Sequence, residues 1–408
     1  MDKMKYTLVE VVAGDKRVER EFIDLPKRIY RDNPYWVCPF DSSIKAVFDP
    51  KKNKLFDDGE AIRWVARDER GECVGRIAAF YDRLHAYGFE QPTGGCGFFE
   101  AIDDQMLADM LFDAARDWLK ERGMEAMDGP INFGSRDAWW GLLVEGYEYQ
   151  PLFENPYHLP YYKSLFENYG FKNYFNQNTY LWDTQDDDVN GIVHERVHRL
   201  MSTPGYRFAP LGDEDLYSAV DKIRQIYNKA WALFTGVQPM EVAEARQMAD
   251  TMRPIVDRNL IYFAYFNDEP IGFFVMVPDL NQLIGKYNGK FGLINKLRMM
   301  WDLKVRKGSD RIFAIVFGIT PEFQGKGVES GLMKAMLENY IRTPKNHYRT
   351  VEFAWIGDFN PVMNRMVERY ICARKHKMHT TYRYLFDRTK EFTRCPRVGL
   401  KPRPKIEE

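Results

Sequence analysis

The sequence predicts a mixed α/β (α+β) protein made of two tandem copies of one unit, each a mixed, mostly antiparallel sheet flanked by helices. Three observations carry this. A polar turn leads into a strand with an early glycine twice, at Cys73 to Arg76 (CVGR) and at Pro270 to Phe273 (PIGF). A long helix with doublets of apolar residues follows in each half, and each half closes on a matching strand end, TYLWD at Thr179 to Asp183 and RYLFD at Arg383 to Asp387. The same features in the same order indicate a duplication.

In the first half, Ala61 to Arg67 and Cys73 to Phe80 read as strands joined by the turn Asp68 to Gly71. A strand at Gly97 to Ile102 runs into a helix whose stripe is Met106, Leu107, Met110, Leu111, Ala114, Ala115, Trp118 and Leu119, ended by Gly123 as a left-handed cap. No glycine turn separates this strand from its helix. Asp103 is read as the helix cap, and Asp103 with Asp104 puts negative charge at the helix start. A strand at about Met124 to Asn132, a Gly- and aromatic-rich loop, a helix from about Pro160 to Gly170 and the TYLWD strand complete the copy. In the loop, Trp139, Trp140, Tyr147 and Tyr149 either line an apolar pocket or pack between the domains.

The second half repeats the order: a hairpin of Leu260 to Phe266 and Pro270 to Val277, a strand and helix from Phe313 to Tyr340, a strand at Thr350 to Ile356, a helix at Asn360 to Tyr370, and the RYLFD strand. Ala314 to Ile319 is apolar and β-branched or aromatic, the pattern of a strand covered on both faces. The division expected is 1–185, a linker helix at 186–204, and 205–408, the last carrying a basic insertion at 280–307. That insertion sets Lys286, Lys290, Lys296, Arg298, Lys304, Arg306 and Lys307 against Asp302, with apolar residues interleaved. It reads as a lid over its own domain, or as a basic amphipathic segment in peripheral contact with a membrane.

At 408 residues the chain has room for two full cores, and 45% hydrophobic with 29% charged residues is a globular composition. A net charge of −1 gives no general attraction to nucleic acid. Five scattered cysteines offer neither a disulfide framework nor a metal knuckle, no apolar run approaches a membrane span, and a cytoplasmic protein is expected. His194 to His198 spells HExxH, which on a helix can ligate zinc. Arg196 stands between the ligands and no third ligand helix follows, so no metal site is assigned.

The stretch with chemistry in it is Gln324 to Ser330, QGKGVES, between the apolar strand and its amphipathic helix. N–H groups at a helix N-terminus have no partner inside the helix and carry the positive end of its dipole, so a glycine turn there can hold a phosphate.

Gln324-Gly325-Lys326-Gly327-Val328-Glu329 resembles the acyl-CoA motif Q/R-x-x-G-x-G/A of the GCN5-related N-acetyltransferases (GNAT), and the order of elements in both halves resembles their fold. Gly97 to Glu100 (GFFE), Gly141 to Gly146 (GLLVEG), and Trp355-Ile356 before Asn360 resemble a group of bacterial tandem-GNAT proteins of uncertain substrate. The resemblance implies an acyl-CoA-dependent N-acyltransferase, an acetyl transfer from acetyl-CoA or another acyl-CoA to the amine of a small molecule. The alternative is a pseudo-acyltransferase that binds CoA or a metabolite as sensor or scaffold. It implies that backbone N–H groups of Gly325, Lys326, Gly327, Val328, Glu329 and Ser330 bind the pyrophosphate, with Gln324 opening the turn. Phe317 to Ile319 would splay from the neighbouring strand and pair with the pantetheine arm, a strand N–H near Ile319 would polarise the thioester carbonyl, and Asn360 would contact the cofactor. Glu329 replaces the family's Gly or Ala and brings a carboxylate near a diphosphate. Val367 replaces the tyrosine that commonly protonates the departing thiolate. Glu352 on the splayed strand and Asp358 at its mouth are the candidate general bases for the ammonium nucleophile.

Overall fold

The computed structural model describes residues 5–88, 91–186, 191–231 and 239–397. The first repeat runs β1 (Tyr6–Glu10), α1 (Lys16–Ile29), α2 (Asp41–Val47), β2 (Gly59–Asp68), β3 (Cys73–Asp82), α3 (Arg83–Ala86), β4 (Thr93–Ala101), α4 (Gln105–Glu121), β5 (Ala126–Gly129), β6 (Leu142–Glu145), α5 (Tyr161–Tyr169) and β7 (Lys172–Asp183). After α6 (Gly191–Met201), the second runs β8 (Tyr206–Pro210), α7 (Leu216–Trp231), α8 (Val242–Met252), β9 (Ile261–Phe266), β10 (Glu269–Pro278), α9 (Asn281–Ile284), α10 (Leu293–Lys304), β11 (Arg311–Ile319), α11 (Val328–Met336), β12 (Thr350–Gly357), α12 (Pro361–Arg365) and β13 (Arg374–Leu385). Each copy therefore opens on a strand and two helices that the periodicity of the hairpins and long helices does not announce.

Two compact units result: Met1–Gln177 with Ile284–Leu297 and Lys377–Cys395, and Asn178–Leu283 with Arg298–His376 and Pro396–Glu408. Neither is continuous in sequence. In the first, strands follow the order β1-β2-β3-β4-β5-β13, with β6 also pairing β13. In the second the order is β7-β12-β11-β10-β9-β8. The pairs β1–β2, β2–β3, β3–β4, β5–β13, β6–β13, β8–β9, β9–β10 and β10–β11 are antiparallel, whereas β4–β5 and β11–β12 are parallel. Those two parallel steps are where each long helix crosses over, as a parallel pair requires.

Both faces of each sheet are covered. In the second unit one core packs Leu332, Ala335 and Met336 of α11 against Tyr262, Phe274, Met276 and Ile312, and another packs Ala219 and Ile226 of α7 against Phe263, Phe273 and Val275. This is why the strands read as continuous apolar runs rather than alternating ones. In the first unit Leu107, Leu111, Ala115 and Leu119 of α4 bury the inner half of each doublet. Burying one side of the doublet and leaving Met106 exposed is the ordinary geometry of a surface helix.

One sequence expectation is corrected here. The cap of α4 is Asp104, whose side chain accepts from Leu107 N at 3.2 Å, and not Asp103. Asp104 also receives Tyr6 OH at 3.0 Å and an ion pair from Lys5, so the first residues of the chain select it as the cap. The loop aromatics pack within the first unit: Trp139 against Phe98, Trp140 through Nε1 to Thr381 Oγ1 at 3.1 Å, and Tyr147 beside Tyr157.

Candidate active site

The second unit contains a slot made by a strand that leaves its neighbour. β11 and β12 are parallel from Arg311↔Thr350 to Ala314↔Phe353 and pair no further, although β11 continues to Ile319 and β12 to Gly357. The cause is visible on the other edge of β11. Its register with β10 steps from Val275↔Val316 to Met276↔Ala314, leaving Ile315 as an extra residue. A bulge bends its strand and sharpens the local twist, which swings Val316 to Ile319 away from β12.

The slot is narrow and partly open to solvent, with a cavity volume of about 60 Å³. Ile315, Val316 and Phe317 line one wall, Phe353, Ala354 and Ile356 the other, and Leu332, Met333, Met363 and Met366 come from the flanking helices. Flexible methionines over an aromatic and aliphatic lining suit an alkyl chain. Both flanking helices end in a single π-helical turn, Leu337–Ile341 after α11 and Met366–Tyr370 after α12, a feature concentrated at functional sites.

At one end of the slot stands the glycine turn. Gly325 and Gly327 have φ of +72° and +89°, which an L side chain rarely adopts, and a Cβ at either would meet nothing within 4 Å. Their glycines serve conformation rather than space. Gly327 is the N-cap of α11 and no side chain caps that helix. The first helical hydrogen bond runs from Gly331 N to Gly327 O at 3.0 Å, so the amides of Val328 and Ser330 lie at a helix start, where the helix itself supplies no acceptor. Alternating left-handed glycines before a helix, here on either side of Lys326, make a concavity of N–H groups suited to an anion. Gln324 anchors the turn by donating Nε2 to Ile319 O at 3.0 Å, and Lys326 is exposed beside it with its ammonium over the Phe323 ring.

The carboxylates distribute as follows. Glu329, half-buried on the first turn of α11, lines the slot. Glu352 is fully buried on the paired part of β12, opposite Phe313. It accepts Thr179 Oγ1 at 2.7 Å, lies 3.1 Å from His376 Nδ1, and shares Arg311 with buried Asp279. Those partners hold the paired end of β11 and β12, and Glu352 is fully buried there. Asp358 is half-buried in the turn beyond the free end of β12. Asn360 caps α12, its Oδ1 accepting from Met363 N at 3.2 Å. Asn364, one turn on, donates to Gly357 O and Asn360 O and so fixes the mouth of the slot.

Val367 is buried in the core, as an aliphatic residue at that helix position should be. The side chain of Tyr370 lies outside the described residues. A different phenol reaches α12: Tyr180 OH is 2.7 Å from Asn364 Oδ1 and 2.8 Å from Glu368 Oε1. Burial, then the Glu368 carboxylate, raises its pKa, so it stays a proton-bearing donor. Tyr180 comes from the end of the first repeat, so no motif of the second half points to it.

On α6, Glu195 and His198 line a concavity together with Arg199 and Lys334. The His194 side chain lies outside the described residues. Among the described residues no three His, Cys, Asp or Glu side chains gather to hold a metal ion, and the five cysteines are free.

This architecture is the tandem GNAT fold. A tandem GNAT protein from the clavulanic acid biosynthesis pathway superposes with a TM-score of 0.54 at 14% identity, covering 94% of this chain and all of that one. A GCN5-related glucosamine N-acetyltransferase region of a fungal β-N-acetylglucosaminidase superposes with a TM-score of 0.52 at 12% identity, over 93% of this chain and 38% of that one. Among characterised sequences, the bacterial ceramide synthase of Caulobacter vibrioides is 29% identical over 358 residues, 86% of this chain and 90% of its own length. Protein YghO of Escherichia coli K12 is 27% identical over 365 residues, 89% of this chain and 92% of its own length. No protein-family model matches the chain.

Proposed function

We propose that the chain is an N-acyltransferase that moves a long aliphatic acyl group from an acyl-CoA to the primary amine of a sphingoid-like amino alcohol, with its acyl-CoA site in the second repeat. The observation that carries this is the apolar slot between β11 and β12 ending at an uncapped glycine turn. It offers one place for a diphosphate and one for an extended arm and alkyl chain, in continuity. The likeness to a ceramide synthase along most of both chains supports the length of the acyl group and the class of acceptor, and moves the expectation away from acetyl transfer.

In the reaction the amine nitrogen attacks the thioester carbonyl, the C–N bond forms, the C–S bond breaks, and CoA leaves as a thiolate that takes a proton. The amides of Gly325, Gly327, Val328 and Ser330 hold the pyrophosphate, whereas Lys326 N already donates to Phe323 O at 3.4 Å and brings its ammonium instead. The β12-facing backbone of β11 beyond Ala314, freed from the ladder, pairs with the pantetheine arm, and an N–H near Ile319 meets the developing oxyanion. Asp358, at the open end, takes the ammonium proton, while Glu352 holds the strands together. Glu329, which lines the slot, must keep its carboxylate off the diphosphate for this reading to hold. Asn360 and Asn364 set the position of α12 at the mouth.

The test is thioester consumption with palmitoyl-CoA and acetyl-CoA against sphinganine and a panel of short amines, beside calorimetric titration of each CoA. Turnover of palmitoyl-CoA with sphinganine, lowered roughly a hundredfold or more in Asp358→Asn, is expected for loss of a general base. Tight CoA binding with no turnover on any amine would replace the enzyme reading by that of a sensor.

A further inference from the structure

We propose that helix α10 docks this protein on an anionic phospholipid bilayer. This rests on the helix alone and is independent of the acyl-transfer reading. Leu293, Ile294, Leu297, Trp301 and Val305 are 73, 75, 64, 59 and 56% exposed. They fall at i, i+1, i+4, i+8 and i+12, one face of a helix of 3.6 residues per turn. The opposite side carries Met299, Asp302 and Leu303, all buried. The helix thus has an inward face that is spent on the fold and a second apolar face with no fold to bury it. Single exposed apolar residues are ordinary, but five on one face with a tryptophan among them form a patch that marks an interaction surface.

Charge selects the occupant. Lys286, Lys290, Lys296, Arg298, Lys304 and Lys307 are all exposed around that face. The one acid of the segment, Asp302, is buried and paired with Arg306 at 3.4 Å. In a chain of net charge −1, these six exposed cations therefore share one segment with the apolar stripe, and the acid of that segment is buried. An isologous contact between two copies would set these cations against each other. A bilayer of acidic lipids accepts both features at once: headgroups pair with the lysines while Leu, Ile and Trp side chains enter the acyl boundary. No helix among the described residues is long and apolar enough to cross a membrane, so the contact is one of lying on the surface.

The experiment is vesicle flotation of the full chain with phosphatidylcholine vesicles and with phosphatidylcholine vesicles containing phosphatidylglycerol. The wild type should float with the acidic vesicles and be released by salt. Leu297→Ser with Trp301→Ser, both on exposed positions, should lower partitioning about tenfold or more at unchanged circular dichroism. Lys296→Ala with Arg298→Ala and Lys304→Ala should lose on the order of a hundredfold, and with it the preference for acidic vesicles. No flotation of the wild type, or flotation indifferent to Leu297→Ser with Trp301→Ser, overturns the proposal. So does a dimer in light scattering that the same pair of substitutions converts to monomer.

Discussion

Replacing Gly327 by alanine isolates the turn proposed to hold phosphate from everything around it. The position has φ of +89° and open space where the new Cβ would sit, so the substitution brings no clash. The whole effect is conformational: a left-handed L residue costs about 1–2 kcal/mol, partly offset by the roughly 0.4–1 kcal/mol gained from stiffening the unfolded chain. Gly327→Ala should therefore fold with about 1 kcal/mol less stability, measured by urea denaturation, while its backbone relaxes and the amides of Val328 and Ser330 lose their common aim. Losing one charge-assisted hydrogen bond to the diphosphate is worth about 1.5–3 kcal/mol, so affinity for CoA should fall roughly ten- to a hundredfold. Affinity for pantetheine, which lacks the diphosphate, should not move. Gly331→Ala is the control. It has ordinary helical φ, but its Cβ would come within 2.4 Å of the Phe208 ring, so it stresses the core without turning the N-terminal amides. It should lose about 1–3 kcal/mol of stability and keep its preference for CoA over pantetheine. Gly327→Asn, which tolerates the left-handed region, should recover part of the loss. If Gly327→Ala and Gly331→Ala bind CoA equally well, the turn does not hold the diphosphate and the site assignment fails.

Three further outcomes follow from other parts of the molecule. Ala354→Phe places a ring in the slot opposite Val316 and Phe317, and the preferred acyl-CoA should become shorter by several carbons, read from relative kcat/KM across chain lengths. Glu352→Gln removes the charge that faces Arg311 and His376 in a sealed site, and should cost about 3–5 kcal/mol in denaturant midpoint experiments, as unpairing a buried ion does. In the first unit, buried His158 accepts from Leu143 N through Nδ1, and burial, then the neighbouring His379, pushes its pKa down to about 3. A folded value below the unfolded one means that stability is whole above about pH 6.5 and is lost as pH falls toward 3. His158→Asn, which keeps an acceptor for Leu143 N, should flatten the acid limb of Tm against pH.

The repeated order of strands and helices, and the glycine turn, were legible because each is written in local residues. The turn is local chemistry: two glycines at positive φ ahead of an apolar helix stripe. The splay was expected only through the family resemblance, because it depends on Ile315 being the odd residue in a register with β10, and one more β-branched residue in an apolar run carries no mark of that. Tyr180 was equally hidden, since it belongs to the end of one repeat and acts on α12 of the next. Glu352 illustrates the converse. A glutamate inside an apolar strand reads as functional, and only the positions of Thr179, Arg311 and His376 reveal that its charge is matched and sealed. The exposed face of α10 was half legible: the cations and apolar residues were counted, but which of them point outward is settled by burial.

The first copy keeps the same fold with a different filling at the place where the second copy's site is proposed. Its parallel pair also stops early, after Gly95↔Asp128, and its strand also has a bulge, between Arg76↔Glu100 and Ala78↔Gly97, with Phe98 at φ +50°. The device that opens the slot is therefore present in both copies. What differs is the filling. Past β5 the chain turns back so that Ile131 N donates to Cys96 O at 2.8 Å, and the Ile131 carbonyl presses on Gly97, where a Cβ would lie 1.8 Å from it. Main chain occupies the place of an extended arm. Beyond it Glu100 accepts Tyr30 OH at 2.8 Å and Tyr162 OH at 2.7 Å and pairs with Arg76, all buried. The start of α4 is then closed by Asp104. Each substitution satisfies a group that a ligand would otherwise satisfy. Buried backbone and helix-end amides must be paired with something, and the start of α11 with the β11 edge beyond Ala314 is where the proposed ligand would supply such partners in the second copy.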